Sequence, residues 1–145
     1  VDLPEGTVGM VLSGLACDYV ECFGNICVKV KKCLRKGGSF VFSVEHPVFT
    51  AYGTQDWYYD DSGTILHWPV DRYYYEGRRE AVFLGEKVVK YHKTLTTYIN
   101  SLLQNGFQIK ELIEPQPEKS MIEEIPGMAD EMRRPMMLIL SAVKA

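Results

Sequence analysis

Gly37-Gly38-Ser39-Phe40-Val41-Phe42-Ser43-Val44-Glu45-His46-Pro47 is the segment around which the rest of the chain is arranged. A glycine pair closes whatever precedes it, and a run of aromatic and β-branched residues follows. From Phe40 to Val44 there is no regular polar alternation, which predicts a strand buried on both faces, as in a parallel sheet. Glu45 and His46 then stand side by side, just before a proline that ends the strand. In open α/β sheets ligands bind beyond the carboxyl ends of the strands. Glu45 and His46 are therefore expected to face a ligand.

Upstream, Val8 to Ser13 reads as a short apolar strand behind the turn Pro4-Glu5-Gly6. Gly14 falls where that strand leaves the sheet and the backbone can approach a ligand closely. From about Cys22 to Leu34, the residues Cys22, Phe23, Ile26, Cys27, Val30, Cys33 and Leu34 recur at helical spacing. Lys29, Lys31, Lys32 and Arg35 form the wet side, and cations near the C-terminus complement the helix dipole. Gly37 and Gly38 are expected to end this helix. Strand, helix and strand with turns this short make a βαβ unit with a right-handed crossover. The four cysteines, Cys17, Cys22, Cys27 and Cys33, contain no C-x-x-C pair. They read as small core residues rather than metal ligands, and as reduced thiols of a cytoplasmic protein.

Downstream, residues 48–86 change character. Trp57 and Trp68 are here with Tyr52, Tyr58, Tyr59, Tyr73, Tyr74 and Tyr75. Asp60-Asp61-Ser62-Gly63 predicts a turn between Trp57–Tyr59 and Ile65–Trp68, a hairpin within an inserted lid or subunit contact. Val88 to Gln104 is predicted helical, with Val88, Tyr91, Leu95, Tyr98, Ile99, Leu102 and Leu103 as its stripe and Gly106 beyond its end. Phe107 to Ile113 alternates as a strand, and Pro115 and Pro117 close it. Glu118 to Arg134 is polar, with a short helix broken at Pro126-Gly127. Met136 to Val143 is a final strand, which with the one before it forms a terminal antiparallel pair.

The chain has 145 residues, a size that favours one domain over residues 1–145. Its formal net charge of -3 gives no reason to expect nucleic acid or an anionic membrane as a partner. No apolar run reaches the roughly 18 residues of a membrane span. The start, Val1-Asp2-Leu3-Pro4, carries neither an initiator methionine nor a signal segment and reads as the middle of something longer.

In this order the segments resemble the C-terminal part of a class I S-adenosylmethionine-dependent methyltransferase. Asp2-Leu3-Pro4 is similar to the turn before that family's fourth strand, and Ser13-Gly14-Leu15-Ala16 to the strand's ligand-facing exit. Leu34-Arg35-Lys36-Gly37-Gly38-Ser39-Phe40 is similar to the Leu-Lys-Pro-Gly-Gly-x-Phe approach to the fifth. Ser43 to Thr50, Gln55-Asp56-Trp57-Tyr58, His67 to Tyr73 and Lys90 to Leu95 resemble a narrower branch of small, mostly uncharacterised methyltransferases. Three positions depart from the pattern. Gly9 stands where the family usually has Asp, Lys36 where it has Pro, and Asp18 where many relatives have His. The last could alter the acceptor pocket. The family's glycine-rich cofactor loop and its ribose-binding acidic residue are missing. They are expected upstream of Val1, which makes this a truncated domain.

The resemblance implies an α/β fold: a partial Rossmann-like methyltransferase sheet, parallel with a terminal antiparallel pair, plus the aromatic-rich hairpin insertion. It implies S-adenosylmethionine as the complete protein's cofactor and a small-molecule methyl acceptor. Ser13, Gly14 and Leu15 would line the cofactor's methionine side. Glu45 and His46 would be the catalytic pair, His46 as general base, although a histidine before proline could equally be a structural hydrogen-bonder. Trp57, His67, Tyr91 and His92 are candidates for contacting the acceptor. For them the plainer readings are burial for Trp57, the hairpin surface for His67 and the helical core stripe for Tyr91. An alternative for the whole chain is a non-catalytic methyltransferase-like fragment that self-associates as a homo-oligomer or binds a partner. An open apolar sheet edge would favour that.

Overall fold

The computed structural model describes residues 3–145, so Val1 and Asp2, and with them the Asp2 part of the Asp2-Leu3-Pro4 turn, lie outside the described residues. The βαβ unit forms as the sequence predicts. β1 (Val8–Gly14) leads through a 3-10 turn at Cys17–Tyr19 to α1 (Phe23–Cys33) and then β2 (Leu34–Glu45). β1 and β2 pair in parallel. Between them and the chain's end lie a four-residue helix, α2 (Pro47–Thr50), and two hairpins, β3 (Tyr58–Tyr59) with β4 (Ile65–His67) and β5 (Gly77–Phe83) with β6 (Glu86–His92). The chain then returns through α3 (Leu95–Gln104), β7 (Phe107–Ile113), α4 (Lys119–Glu124), a 3-10 turn at Met128–Arg133 and β8 (Met137–Lys144). The main sheet has the order β1-β2-β8-β7, with β8 antiparallel to both its neighbours. The expected terminal antiparallel pair is β7 and β8.

One face of β2 is the centre of the core. Phe40, Phe42 and Val44 are fully buried, together with Phe23 and Cys27 of α1, Tyr98 and Leu102 of α3, and Leu138, Leu140 and Ala142 of β8. The Phe23 ring lies 5.0 Å from both the Phe42 and Tyr98 rings. Each such side chain contributes roughly 1.5–3 kcal/mol by leaving water.

The expectation of burial on both faces is corrected. Along Phe40 to Val44 burial alternates, because α1 and α3 pack on the same side. Val41 and Ser43 are half-buried on the other face, where Met10 and Leu12 of β1 are 60% and 75% exposed.

Two further expectations change. Gly37 and Gly38 do not end α1. The helix stops at Cys33, and Leu34 is already extended. The glycines lie in β2, where the register jumps from Val8↔Leu34 to Met10↔Ser39. Gly37 takes a φ of +77°, and a Cβ on Gly38 would stand 2.9 Å from the Arg35 carbonyl oxygen and 3.1 Å from that of Gly9. The pair permits an irregularity and a close approach of two strands.

The long helix predicted over Val88–Gln104 is half strand. Leu84 and Gly85, both at positive φ, turn β5 into β6. Val88 and Val89 favour extension. The helix starts only after Thr94, whose hydroxyl accepts the Thr97 N–H. The second hairpin therefore runs past Glu86 to His92. Among the described residues no helix is long and apolar enough to cross a membrane.

Candidate active site

The site forms where β1 and β2 end together. Leu15, immediately past β1, has φ +51°, a left-handed conformation that costs a branched side chain energy. It is held there by its N–H, which donates to the Ser43 carbonyl at 3.0 Å. A Cβ on Gly14 would meet only Ser43 Oγ, at 4.0 Å, so space is open over the strand exit.

The 3-10 turn that follows carries Asp18, only 2% exposed. Its Oδ2 accepts the Glu45 N–H at 3.1 Å, tying the turn to the tip of β2. Burial pushes the Asp18 carboxyl up to about 6. The Glu45 charge adds to this, while the Glu45 N–H and the ammonium groups of Lys93 and Lys90 oppose it.

Glu45 meets a cation from the second hairpin. Lys90 Nζ on β6 lies 2.5 Å from Glu45 Oε1, with both side chains almost entirely buried. Lys90 also donates to Gln55 Oε1 at 3.1 Å, and Gln55 Nε2 donates to Glu45 Oε1 at 3.1 Å, closing a three-residue ring. The Lys90 ammonium sits about 6 Å from the Tyr19 and Phe83 rings, within cation–π range. Around this ring and Asp18 lies a cavity of about 420 Å³. Its apolar wall is Leu15, Phe49, Val82, Phe83, Met136 and Met137. Apolar walls with a few convergent polar groups are the usual form of a small-molecule site.

Of the residues singled out from sequence, Leu15, Asp18 and Glu45 line this cavity. His46 is next to it but occupied at both ring nitrogens: Nδ1 accepts the Val48 N–H, capping α2, and Nε2 lies 2.6 Å from Glu114 Oε2. Burial lowers its pKa, against the pull of Glu114. His92 is buried between the Thr50 hydroxyl, 2.7 Å from Nδ1, and the Tyr73 carbonyl, 2.8 Å from Nε2, with its pKa lowered by burial. The carbonyl can only accept, so Nε2 carries the proton. Tyr91 and His92 end β6 rather than opening a helix. Ser13 turns its hydroxyl towards Cys17 Sγ at 3.7 Å.

Trp57 and His67 line a second cavity of about 270 Å³ with Trp68, Arg133 and Arg134. There the Arg134 guanidinium lies over the rings of Trp68, Trp57 and Phe49 at 4.4, 4.8 and 5.0 Å. Phe49 lines the first cavity and stacks at 4.7 Å on Trp68, which lines the second. Lys90 and Gln55 had no chemical signal of their own in the sequence. Lys90 opens one of the segments that resemble the methyltransferase branch, and it lies between valines and an aromatic in a run that alternates once it is read as a strand.

No protein-family model matches the chain. A solved structure from Listeria monocytogenes, of a protein provisionally assigned as an S-adenosylmethionine-dependent methyltransferase, superposes over the whole chain with a TM-score of 0.94 and 54% identity. The chain has the fold of a class I S-adenosylmethionine-dependent methyltransferase domain. A methyltransferase of the same type from Mesorhizobium loti matches over 99% of the chain, with a TM-score of 0.87 and 38% identity. An uncharacterised Haemophilus influenzae protein is 28% identical over 99% of the chain. The chain spans 65% of each of the two solved methyltransferases and 56% of the Haemophilus protein.

Proposed function

We propose that this chain is the acceptor-binding portion of an S-adenosylmethionine-dependent methyltransferase that acts on a small molecule in the cytoplasm. The observation that carries the reading is the 420 Å³ cavity beyond the carboxyl ends of two parallel strands, with Glu45 and Asp18 in an otherwise mainly apolar wall. Ser13, Gly14 and Leu15 would hold the methionine end of the cofactor through backbone. The open space over Gly14 and the left-handed turn at Leu15 fit an approach by that group. When bound, the cofactor supplies an electrophilic methyl on a sulfonium. The chain's own residues orient the acceptor, exclude water and receive its proton. Glu45, pinned by Lys90 and Gln55, is assigned to acceptor positioning. Calorimetric titration of the full protein with S-adenosylhomocysteine tests the reading. Binding in the micromolar range is expected, and absence of binding by a folded protein refutes it.

A second reading is association through β1, where Met10 and Leu12 stand exposed beside an unpaired strand edge. A stable dimer by sedimentation, together with no binding of S-adenosylhomocysteine, would favour it over the first.

A further inference from the structure

Resting on the methyltransferase reading, we propose that Asp18 takes the acceptor's proton, and hence that the acceptor is an uncharged, largely apolar molecule whose methylated atom bears an O–H or N–H. Two carboxylates reach the cavity, and their surroundings divide the work. Glu45 Oε1 is occupied by Lys90 and Gln55, and its charge is neutralised. Each carboxylate keeps one oxygen, Glu45 Oε2 and Asp18 Oδ1, that receives no hydrogen bond among the described residues, but Asp18 is held by the Glu45 backbone N–H alone and not by an ion pair. A buried carboxylate held by a backbone donor, with its second oxygen unspent at a cavity wall, is positioned to accept a proton from what enters.

The groups facing Asp18 reinforce this. Cys17 and Tyr19 lie on its own turn, Glu45 on β2, Lys90 on β6, Lys93 just beyond it and Tyr98 on α3. Lys93, the other nearby ammonium, donates to the carbonyls of Cys17 and Tyr91 instead of to the carboxylate. The carboxyl is raised to about 6, so it is ionised at neutral pH yet more basic than an ordinary aspartate. Among the lining residues the one cation, Lys90, is already paired with Glu45, which favours an acceptor without a phosphate or carboxylate.

In the step itself the acceptor's O–H or N–H bond breaks and its proton passes to Asp18 Oδ1. The electron pair stays on the acceptor atom as that atom bonds to the methyl carbon. The methyl–sulfur pair departs with sulfur.

Phenol is the probe: neutral from acid to neutral pH, apolar, and able to donate one O–H. Its binding to the full protein is followed by NMR titration at about pH 7.5 and about pH 5. If the ionised Asp18 receives the O–H, protonation of a group titrating near 6 weakens binding about tenfold at the lower pH. Asp18→Asn should abolish that pH dependence. A carboxyl carbon resonance titrating near 6 in the wild type should vanish in Asp18→Asn. Equal phenol affinity at both pH values, no phenol binding, or a tenfold change that survives Asp18→Asn would overturn the proposal. S-adenosylhomocysteine binding is read separately. Its absence beside an Asp18-dependent phenol titration sinks the methyltransferase reading, while its presence beside a pH-independent one sinks only the role of Asp18.

Discussion

Replacing Lys90 by methionine keeps the length and most of the packing against Tyr19 and Phe83 while removing the charge opposite Glu45. At the observed 2.5 Å the gross attraction between the two charges is roughly 7 kcal/mol at an effective dielectric of about 20. Desolvating each ion costs several kcal/mol, so the intact pair contributes little net stability. Breaking it is different, because Glu45 is then left in a nearly dry site with only Gln55 as a side-chain donor. Lys90→Met should therefore lower the unfolding free energy by about 3–5 kcal/mol, a large part of the 5–15 kcal/mol typical of a domain. Glu45→Gln should cost a comparable amount, whereas the double variant should lose only about 1–2 kcal/mol, since neither charge is then stranded. Urea denaturation at neutral pH, followed by circular dichroism, gives the cycle. Additive single losses, or a Lys90→Met loss below about 1 kcal/mol, would show that the pair is solvated in solution and refute the argument.

The Asp18 carboxyl is raised from 3.8 to about 6 on folding. Between those values the folded state holds a proton that the unfolded state has lost, so stability falls as pH rises through the window, by up to about 3 kcal/mol. Asp18→Asn should remove that fall in urea midpoints measured from about pH 4 to pH 7. Phe42→Ala empties a fully buried site among Phe23, Phe40 and Tyr98 and should cost about 3–5 kcal/mol in the same assay. A Cβ at Gly38 would meet carbonyl oxygens near 3 Å, so Gly38→Ala should cost about 1–3 kcal/mol, read as a lowered melting temperature. Arg79 donates to the carbonyls of Ala51, Arg72 and Tyr75. Arg79→Met should lower the opening free energy of residues 70–92 by about 2–4 kcal/mol in hydrogen exchange and leave β2 and β8 protected.

The core of the fold could be read from the chain because it is local and repetitive. Helical spacing from Phe23 to Leu34 and the apolar run from Phe40 to Val44 each specify an element by themselves, and the short turns between them force parallel pairing. Val88 to His92 forms a strand although Val88, Tyr91 and Leu95 fit helical spacing by coincidence. The turn that makes it a strand, at Leu84 and Gly85, depends on a partner strand that local periodicity does not register. At the site, Glu45 and Leu15 could be anticipated because they end strands. Lys90 and Gln55 could not, because their role exists only once two separate excursions fold back to the same strand tip. His46 shows the opposite case. Its pKa range drew attention in the sequence, but in the fold its ring caps α2 and contacts Glu114, 68 residues away.

The hairpin carrying Lys90 does more than cover the cavity. Asp18 and Glu45 are joined by a hydrogen bond from the backbone of Glu45 to the side chain of Asp18, and the Glu45 charge raises the cost of ionising Asp18. Two carboxylates so placed with no cation would compete for one proton and neither would have a defined state. The single ammonium from β6 breaks that symmetry. It neutralises Glu45 in direct contact and acts on Asp18 only as a minor, more distant influence. One carboxylate is thereby ion-paired, and the other is left desolvated and held by a backbone N–H. The same separation of two nearby carboxylates by environment is what lets a site hold and deprotonate a ligand at one pH. Here the cation comes from the β5–β6 hairpin, whose Val82, Phe83 and Lys90 line the cavity at the sheet tip.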